Sequence, residues 1–483
     1  MSRILVVGMG VPAVVASRRH AGPGLRSAHF ASALAGAGHD VLLVCVLDED
    51  QAPPPCSGNR PGLTIEFTHE KELLDAALRR RIDAFAPDGV VGVTVYAAAL
   101  ACRLRLDAPL WADVFGDIMA EAQAKAARAG SDWSIVHFWT LFEAVLERAD
   151  RFSAVCAPQA HALTGQLGLA GRLSARTAGE QLVATIPCCV DPVQVTEDRS
   201  TARARLGFDD GDFVLLLSGG VNTWCDVETL CDALAEAMQR EKRLRVVMTG
   251  GAIPGHDEAS SGALLSRLAA LEPSRVRVLG WVESERLAGI YAACDVALHI
   301  ELPLYERTLG AENRVIEWLA HGLTCITTAL SETGRGLACD GLVLEVPAGD
   351  GAALAAMLAS APARQGEISR MGLRGRAWVH EARDPVRAAA PLLEWCDSPV
   401  AARDRHGARL VRLGLVSQPQ TSIEMLEAYV AALPTAELLR RGARWMLRRI
   451  GEALRACAPR VSGRRSAAQS SERFTPRPPR EAA

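Results

Sequence analysis

Short aliphatic runs alternate with helix-length stretches from residue 4 to 155, and the alternation restarts at 213 and continues to 328. A parallel strand pair needs a long crossover, usually a helix, whereas an antiparallel pair needs only a tight turn. Strand–helix alternation therefore predicts parallel sheets with helices on both faces. In the first series, 4–7 (ILVV), 40–47, 89–95, 109–114 and 151–155 read as strands, and 25–37, 70–81, 96–105, 119–129 and 133–148 as helices. In the second, 213–218, 244–249, 276–279, 296–300 and 325–328 read as strands, and 226–239, 262–271, 285–293 and 313–320 as helices. Right-handed crossovers wind each series into a Rossmann-like, doubly wound α/β domain. The expected boundaries are 1–189, a linker at 190–210, 211–382, and a closing helix at 383–397.

The 483 residues, 49% hydrophobic and 23% charged, suffice for two stable cores without disulfides. Only 5% are aromatic, so those cores are aliphatic. A net charge of −3 supplies no field that would draw nucleic acid, and no nucleic-acid partner is expected. The 13 cysteines include Cys45, Cys102, Cys156 and Cys325 inside apolar runs, and Cys188 and Cys189 as the close couple. Their spacings do not match a metal site, and they read as buried thiols of a reducing cytoplasm. The chain opens directly on a strand, and no run approaches the ~20 apolar residues of a membrane span. A cytoplasmic location is expected.

Residues 398–460 read as a helical extension. Within it, 437–457 form an amphipathic pattern with Leu438, Leu439, Trp445, Met446, Ile450 and Leu454 on one face. Arg440, Arg441, Arg444, Arg448 and Arg455 cluster on the other. Such a helix suits either an anionic membrane surface or docking on the protein itself. Residues 461–483 have few apolar side chains and are expected to be disordered.

Open parallel sheets bind ligands outside the carboxyl ends of their strands, so the turns there carry the chemistry. In 309–328, LGAENRVIEWLAHGLTCITT, Gly310 turns into a helix whose free N–H groups can hold a phosphate, with Glu317 inside that helix. In AGPGLR, Gly22 and Gly24 flank a proline, so main chain can approach a ligand, and Arg26 is expected to face donor phosphate or acceptor. In PLWADVFGD, Asp113 sits at a strand end, where it could orient an acceptor hydroxyl, and Asp117 suits a helix cap. His137 and His161 read as structural. The Gly8-Met9-Gly10 run is a poor dinucleotide fingerprint, because the helix-start glycines come too late and the acid candidate, Asp48, lies on too long a loop.

IEWLAHGLTCIT, from Ile316, resembles the "EAMAxGxPVV" signature of family 4 GT-B glycosyltransferases, with Thr324 in place of proline. GWVESERLAGIYAACDVALHI (280–300), VVMTGGA (246–252), SGGVNTWCDVETLCDAL (218–234) and GPGLRSAHFASALAGAGHDVLLV (22–44) resemble further segments in the family's order. The resemblance spans about residues 1–395. It implies the GT-B fold and a donor site in the second domain. Glu317 matches the second acid of the family's E-x7-E pair, which implies contact with the donor ribose. The first acid falls on Leu309, and Glu306 is its nearest upstream substitute. Gly219, Gly220, Asn222 and Thr223 stand where the family usually places an Arg and a Lys. Main-chain N–H groups of a glycine turn can hold an anion, with Arg314 and Arg26 supplying charge.

The implied reaction moves a sugar from a nucleoside-diphosphate sugar, UDP- or GDP-linked, to a hydroxyl of a sugar or lipid-linked acceptor. The resemblance implies retention of configuration, neither metal nor cofactor, and a role in envelope, polysaccharide or glycolipid synthesis. Asp113 and Glu306 are the expected catalytic acids. A non-catalytic nucleotide or sugar binder and a GT-B sugar-nucleotide epimerase are the alternatives.

Overall fold

The computed structural model describes residues 1–15, 22–49, 51–54, 58–191, 193, 197–253, 257–405, 442, 444, 446 and 447. Met1–Leu415 form one compact unit and Val416–Ala483 a second. In the second unit the four described residues are helical and exposed. The rest of the amphipathic pattern at 437–457, and the tail at 461–483, lie outside the described residues.

Thirteen described strands form two wholly parallel sheets. β1 (Arg3–Met9), β2 (Asp40–Leu47), β3 (Leu63–His69), β4 (Gly89–Val93), β5 (Leu110–Val114), β6 (Arg151–Ala154) and β7 (Val183–Thr185) build the first, in the order 3-2-1-4-5-6-7. β8 (Phe213–Leu217), β9 (Leu244–Thr249), β10 (Val276–Gly280), β11 (Val296–His299), β12 (Cys325–Thr327) and β13 (Leu344–Glu345) build the second, in the order 10-9-8-11-12-13. The first domain's helices are α1 (Gly22–Gly36), α2 (Ala76–Phe85), α3 (Val95–Arg103), α4 (Ile118–Ala129), α5 (Ile135–Arg148) and α6 (Ala157–Leu169). The second carries α7 (Arg199–Leu206), α8 (Val227–Arg240), α9 (Glu258–Ala269), α10 (Ser284–Ala293), α11 (Tyr305–Thr308), α12 (Asn313–Ala320), α13 (Glu332–Cys339), α14 (Gly351–Ser360) and α15 (Gln365–Ala382). The short helices α16 (Pro385–Ala388) and α17 (Ala390–Asp397) follow.

Each sheet is buried on both faces, and side chains alternate between two cores. Along β1, Leu5 and Val7 enter one core while Ile4 and Val6 enter the other. Along β8, Phe213, Leu215 and Leu217 pack on one side and Val214 and Leu216 on the other.

The structure adds elements that the periodicity hides. β3 lies within a stretch that carries no strand in the sequence reading, and the helix expected at 70–81 is a short 3-10 turn followed by α2. The expected linker contains α7, which Asp198 caps by accepting from the Thr201 N–H at 3.2 Å and Gly207 ends in the left-handed region (φ 73°). Its polar sequence conceals a buried Arg203 that donates to the Asp210 carbonyl at 2.8 Å and to Asp295 at 2.5 Å. The closing segment returns to the first domain, where Leu392, Trp395 and Cys396 join its core and Trp395 tilts against Trp111 at 5.6 Å. Arg172 and Asp404, both buried, then tie the segment down at 2.6 and 3.0 Å.

Candidate functional site in the interdomain cleft

In both sheets the strand order reverses at one point, between β1 and β4 and between β8 and β11. Ligand crevices form at such points, outside the carboxyl ends of the strands. The two points face each other through helix starts. A methyl group placed on Gly22, the first residue of α1, would lie 3.5 Å from Asn313 Nδ2, at the start of α12, and 3.6 Å from the Phe115 ring. Two helix N-termini, each carrying unpaired N–H groups and the positive end of a helix dipole, therefore converge on one space. Between them lies a cavity of about 220 Å³, lined by Arg26, His29 and Cys189 on one side and Asn313, Glu317 and His321 on the other.

On the second domain, Glu317 is half-buried and its Oε1 accepts from the Tyr291 hydroxyl at 3.2 Å. Tyr291 Oη also lies 3.4 Å from Ser218 Oγ, which accepts from Thr249 Oγ1 at 2.9 Å. Burial raises Glu317 above the usual carboxylate range, against the hydrogen bond from Tyr291 and the charge of Arg314. Burial lowers His321 to about 4, with Arg376 acting in the same sense, so the ring is neutral at pH 7. Arg314 Nη2 donates to the Gly220 carbonyl at 2.7 Å, so Arg314, Gly219, Gly220 and Glu317 do come together.

Several expected roles change. The Gly219 N–H donates to the Thr249 carbonyl at 3.1 Å, and so it holds the turn rather than an anion. Gly219 adopts φ +96°, and a methyl group on Gly220 would meet Ile253 at 2.3 Å. Both glycines thus answer to conformation and packing. Asn222 is buried and its Oδ1 accepts from the Thr223 N–H at 2.8 Å, which sets its own turn. Gly310 is needed because a methyl there would lie 2.4 Å from the Glu306 carbonyl, at the end of α11.

In the first domain Arg26 and Asp113 bond each other instead of facing a substrate. Arg26 Nη2 and Nε donate to the two Asp113 oxygens at 2.9 and 3.1 Å, and Ser153 Oγ donates to Asp113 Oδ1 at 2.6 Å. Asp113 is 0% exposed, which overturns its assignment as a cleft-facing acid. Arg26 borders the cavity, but it spends its other donors on the Ile186 and Pro187 carbonyls at 2.8 and 2.9 Å. Gly24 is close-packed against the chain rather than a ligand, because its methyl would lie 2.3 Å from the Val11 carbonyl oxygen. Asp117 caps α4 as expected, accepting from Met119 and Ala120 N–H at 3.1 and 2.8 Å. His137 and His161 are exposed on helices rather than built into the core.

Glu306 lies on α11, 3.7 Å from Arg307 Nη1, and burial raises it to about 7, with Glu121 and Lys125 of α4 nearby. Beside it is a cluster that spacing did not reveal. His299, Glu301, Arg307 and Glu312 are all buried. His299 Nε2 is 3.4 Å from Glu301 and its Nδ1 3.3 Å from Glu312. Arg307 lies 2.5 Å from Glu301 and 3.6 Å from Glu312. Burial holds His299 neutral and pushes Glu301 up. Among the described residues, the ligand atoms of His299, Glu301 and Glu312 lie within 4.8 Å of one another, close enough for a cation, and Arg307 already supplies positive charge there. Glu312 stands inside the recognised signature. It occupies the N-cap position of α12 without a side-chain capping bond, and the E-x7-E spacing points past it to Leu309 and Glu306.

Two parallel-sheet domains facing a cleft at paired switch points define the GT-B class. Residues 212–361 match the family of glycosyl transferases group 1. Over 281 residues the chain is 28% identical to the D-inositol 3-phosphate glycosyltransferase of Nocardia farcinica, a match covering 55% of this chain and 56% of that protein. The match thus spans about half the length of that curated relative. The fold is similar to sucrose-phosphate synthase from Thermosynechococcus elongatus (TM-score 0.61, 18% identity, 82% of this chain and 98% of that one). It is also similar to Anabaena HepE, solved in complex with UDP-glucose (TM-score 0.57, 16% identity, 82% and 100%). No described helix is long and apolar enough to cross a membrane.

Proposed function

We propose that the protein transfers a glycosyl group from a nucleoside-diphosphate sugar, UDP- or GDP-linked, to an acceptor hydroxyl. The observation that carries this is the convergence of the α1 and α12 starts on one cavity from opposite sides, with Glu317 on the α12 side. A diphosphate between two helix starts has its charge stabilised without reorganisation, and that charge grows as the glycosidic bond breaks. Glu317, one to two turns into α12, accepts from the ribose hydroxyls. In the retaining reaction a donor phosphate oxygen takes the acceptor proton, so the chain needs no nucleophile. The group 1 match and the UDP-glucose complex of HepE support a sugar-nucleotide donor.

The test is a thermal-shift screen of the protein and Glu317→Gln with UDP, GDP, ADP, TDP and CMP. A ligand at a hundred times its Kd stabilises by about 2.7 kcal/mol. One nucleoside diphosphate is expected to stabilise the wild type and much less the variant, and turnover of its sugar conjugate then gives the product's anomeric configuration. Equal stabilisation of both proteins would remove Glu317 from the donor site. No response to any nucleotide would end the transferase reading.

A further inference from the structure

The cavity wall opposite Glu317 contains a second constellation. β7 runs into residues 186–191, and Arg26 fixes this segment by its bonds to the Ile186 and Pro187 carbonyls. Cys188, Cys189 and Asp191 follow directly. From α1, one turn beyond Arg26, His29 reaches across with Nδ1 3.4 Å from Cys189 Sγ and Nε2 3.6 Å from Asp191 Oδ2. One imidazole nitrogen is placed to take the thiol proton while the other, as N–H, is held by a carboxylate, the geometry of an activated nucleophile. His29 is 8% exposed and so held in place, while Cys189 is half-buried and lines the cavity.

We propose that Cys189 is a nucleophile with His29 as its base, and that the cleft is a modification site for small soft electrophiles, hydroperoxides first. The proposal rests on this geometry and does not depend on the sugar-transfer reading. The thiolate attacks one oxygen of ROOH, an S–O bond forms, and the O–O bond breaks. Alkoxide leaves and takes the proton from the His29 imidazolium as ROH. Sulfur is oxidised by two electrons to the sulfenic acid and the peroxide is reduced by the same two. The new hydroxyl on sulfur lies in the cavity shared with Asn313 and Glu317 and narrows it.

The surroundings agree with the charge separation. Burial alone would lower His29, but its bonds to Asp191 and Cys189 raise it to about 9. The bond from His29 in turn holds Asp191 below the usual carboxylate range, with Arg60 adding to the effect. Arg26 and Arg383 add positive charge near both cysteines, Asp113 lies behind Arg26, and Glu317 and His321 face the pair from across the cavity. Neighbouring Cys188, fully enclosed, is pushed up to about 12 by burial and stays a thiol. Cys339 is exposed and serves as the reference thiol within the same chain.

The experiment is peptide-resolved labelling of the full-length protein, without nucleotide, by iodoacetamide between pH 6 and 8. Trapping of sulfenic acid with dimedone after a hydrogen peroxide pulse completes it. With His29 placed to take its proton, Cys189 is expected to be alkylated about tenfold faster than Cys339 at pH 7. His29→Gln should bring the Cys189 rate down to that of Cys339, and sulfenate should be trapped first at Cys189. A Cys189 rate that tracks that of Cys339 across the pH range overturns the proposal from the wild type alone, whether or not the variant folds. A rate unchanged in folded His29→Gln overturns it as well.

Discussion

Asp113→Ala separates a structural role for this acid from a catalytic one. The side chain accepts two charge-assisted bonds from Arg26, at 2.9 and 3.1 Å, and one from Ser153 at 2.6 Å. Both members of the ion pair are enclosed, Arg26 at 2% and Asp113 at 0% exposure. The substitution leaves a guanidinium in the interior with only carbonyl partners, and removing one member of such a pair costs about 3–5 kcal/mol. Of the 5–15 kcal/mol that typically holds a domain folded, that is about a fifth or more. With a urea slope near the upper end of about 1–3 kcal/mol/M, the unfolding midpoint of the first domain should fall by about 1–2 M. Urea titration followed by far-UV circular dichroism and tryptophan fluorescence measures this, Trp111 being the neighbour of Ala112 on the same strand. Asp113→Asn keeps an acceptor for Ser153 and should fall between the two. Nucleotide affinity measured in the absence of urea should be unchanged, because Asp113 offers no atom to the cavity. An Asp113→Ala protein that unfolds at the wild-type midpoint, yet loses sugar transfer, would refute the structural assignment and return the acid to the chemistry.

Three further predictions concern α1 and α11. In Gly24→Ala the new methyl would lie 2.3 Å from the Val11 carbonyl oxygen, main chain against main chain, so a loss of about 1–3 kcal/mol is expected by thermal denaturation. Gly36→Ala at the other end of the same helix meets nothing within 4 Å and should gain up to about 1 kcal/mol. For Glu306 the folded value, raised to about 7 by burial, lies above the unfolded value near 4.5. The folded state therefore holds more protons between those values, and stability must fall as pH rises from about 4.5 to 7 and level off above. Urea midpoints across pH 4.5–8 should show this slope, up to about 3 kcal/mol in all at 1.36 kcal/mol per unit. Glu306→Gln should flatten it, and an identical profile in the variant would show that Glu306 does not carry the effect.

Where strands are buried on both faces, as in ILVV of β1 and the run of β8, the aliphatic sequence reports the architecture directly, because no other element tolerates such runs at that length. The misses are elements that do not have to be apolar. β3 is an edge strand in which buried and exposed residues mix, and β7 has three residues. α7 reads as a polar linker because its inward anchor is Arg203, which pairs with Asp295 and caps carbonyl groups. A buried arginine and a surface arginine look alike in a sequence, and the distinction depends on a carboxylate 92 positions away.

The same limit governs the cleft. Glu317 and Arg314 could be found because a helix start and a signature lie in one short stretch, but Glu312, His299 and Arg307 become a cluster only when β11, α11 and α12 are assembled. Domain closure adds a further requirement that local sequence does not encode. Ligand pockets usually hold about 300–1,000 Å³, so the cavity of about 220 Å³ is too small for a whole nucleoside-diphosphate sugar. On the proposed function, the domains part to admit one. The ties across the cleft suit that motion. Arg128 pairs with Asp257 at 3.0 Å, with Arg128 about half exposed, and Glu332 accepts from the Ala157 N–H at 2.9 Å at an exposed position. Solvent screens the Arg128 and Glu332 ends of these ties, while Asp257 is enclosed at 6% exposure. The buried bonds of Arg172 and Arg26, by contrast, lie within the first domain and its returning segment and keep that body intact. Opening thus separates Gly22 from Asn313 and Cys189 from Glu317 without loosening either wall. On the proposed function, a bound diphosphate attracted by both helix starts would favour holding them together.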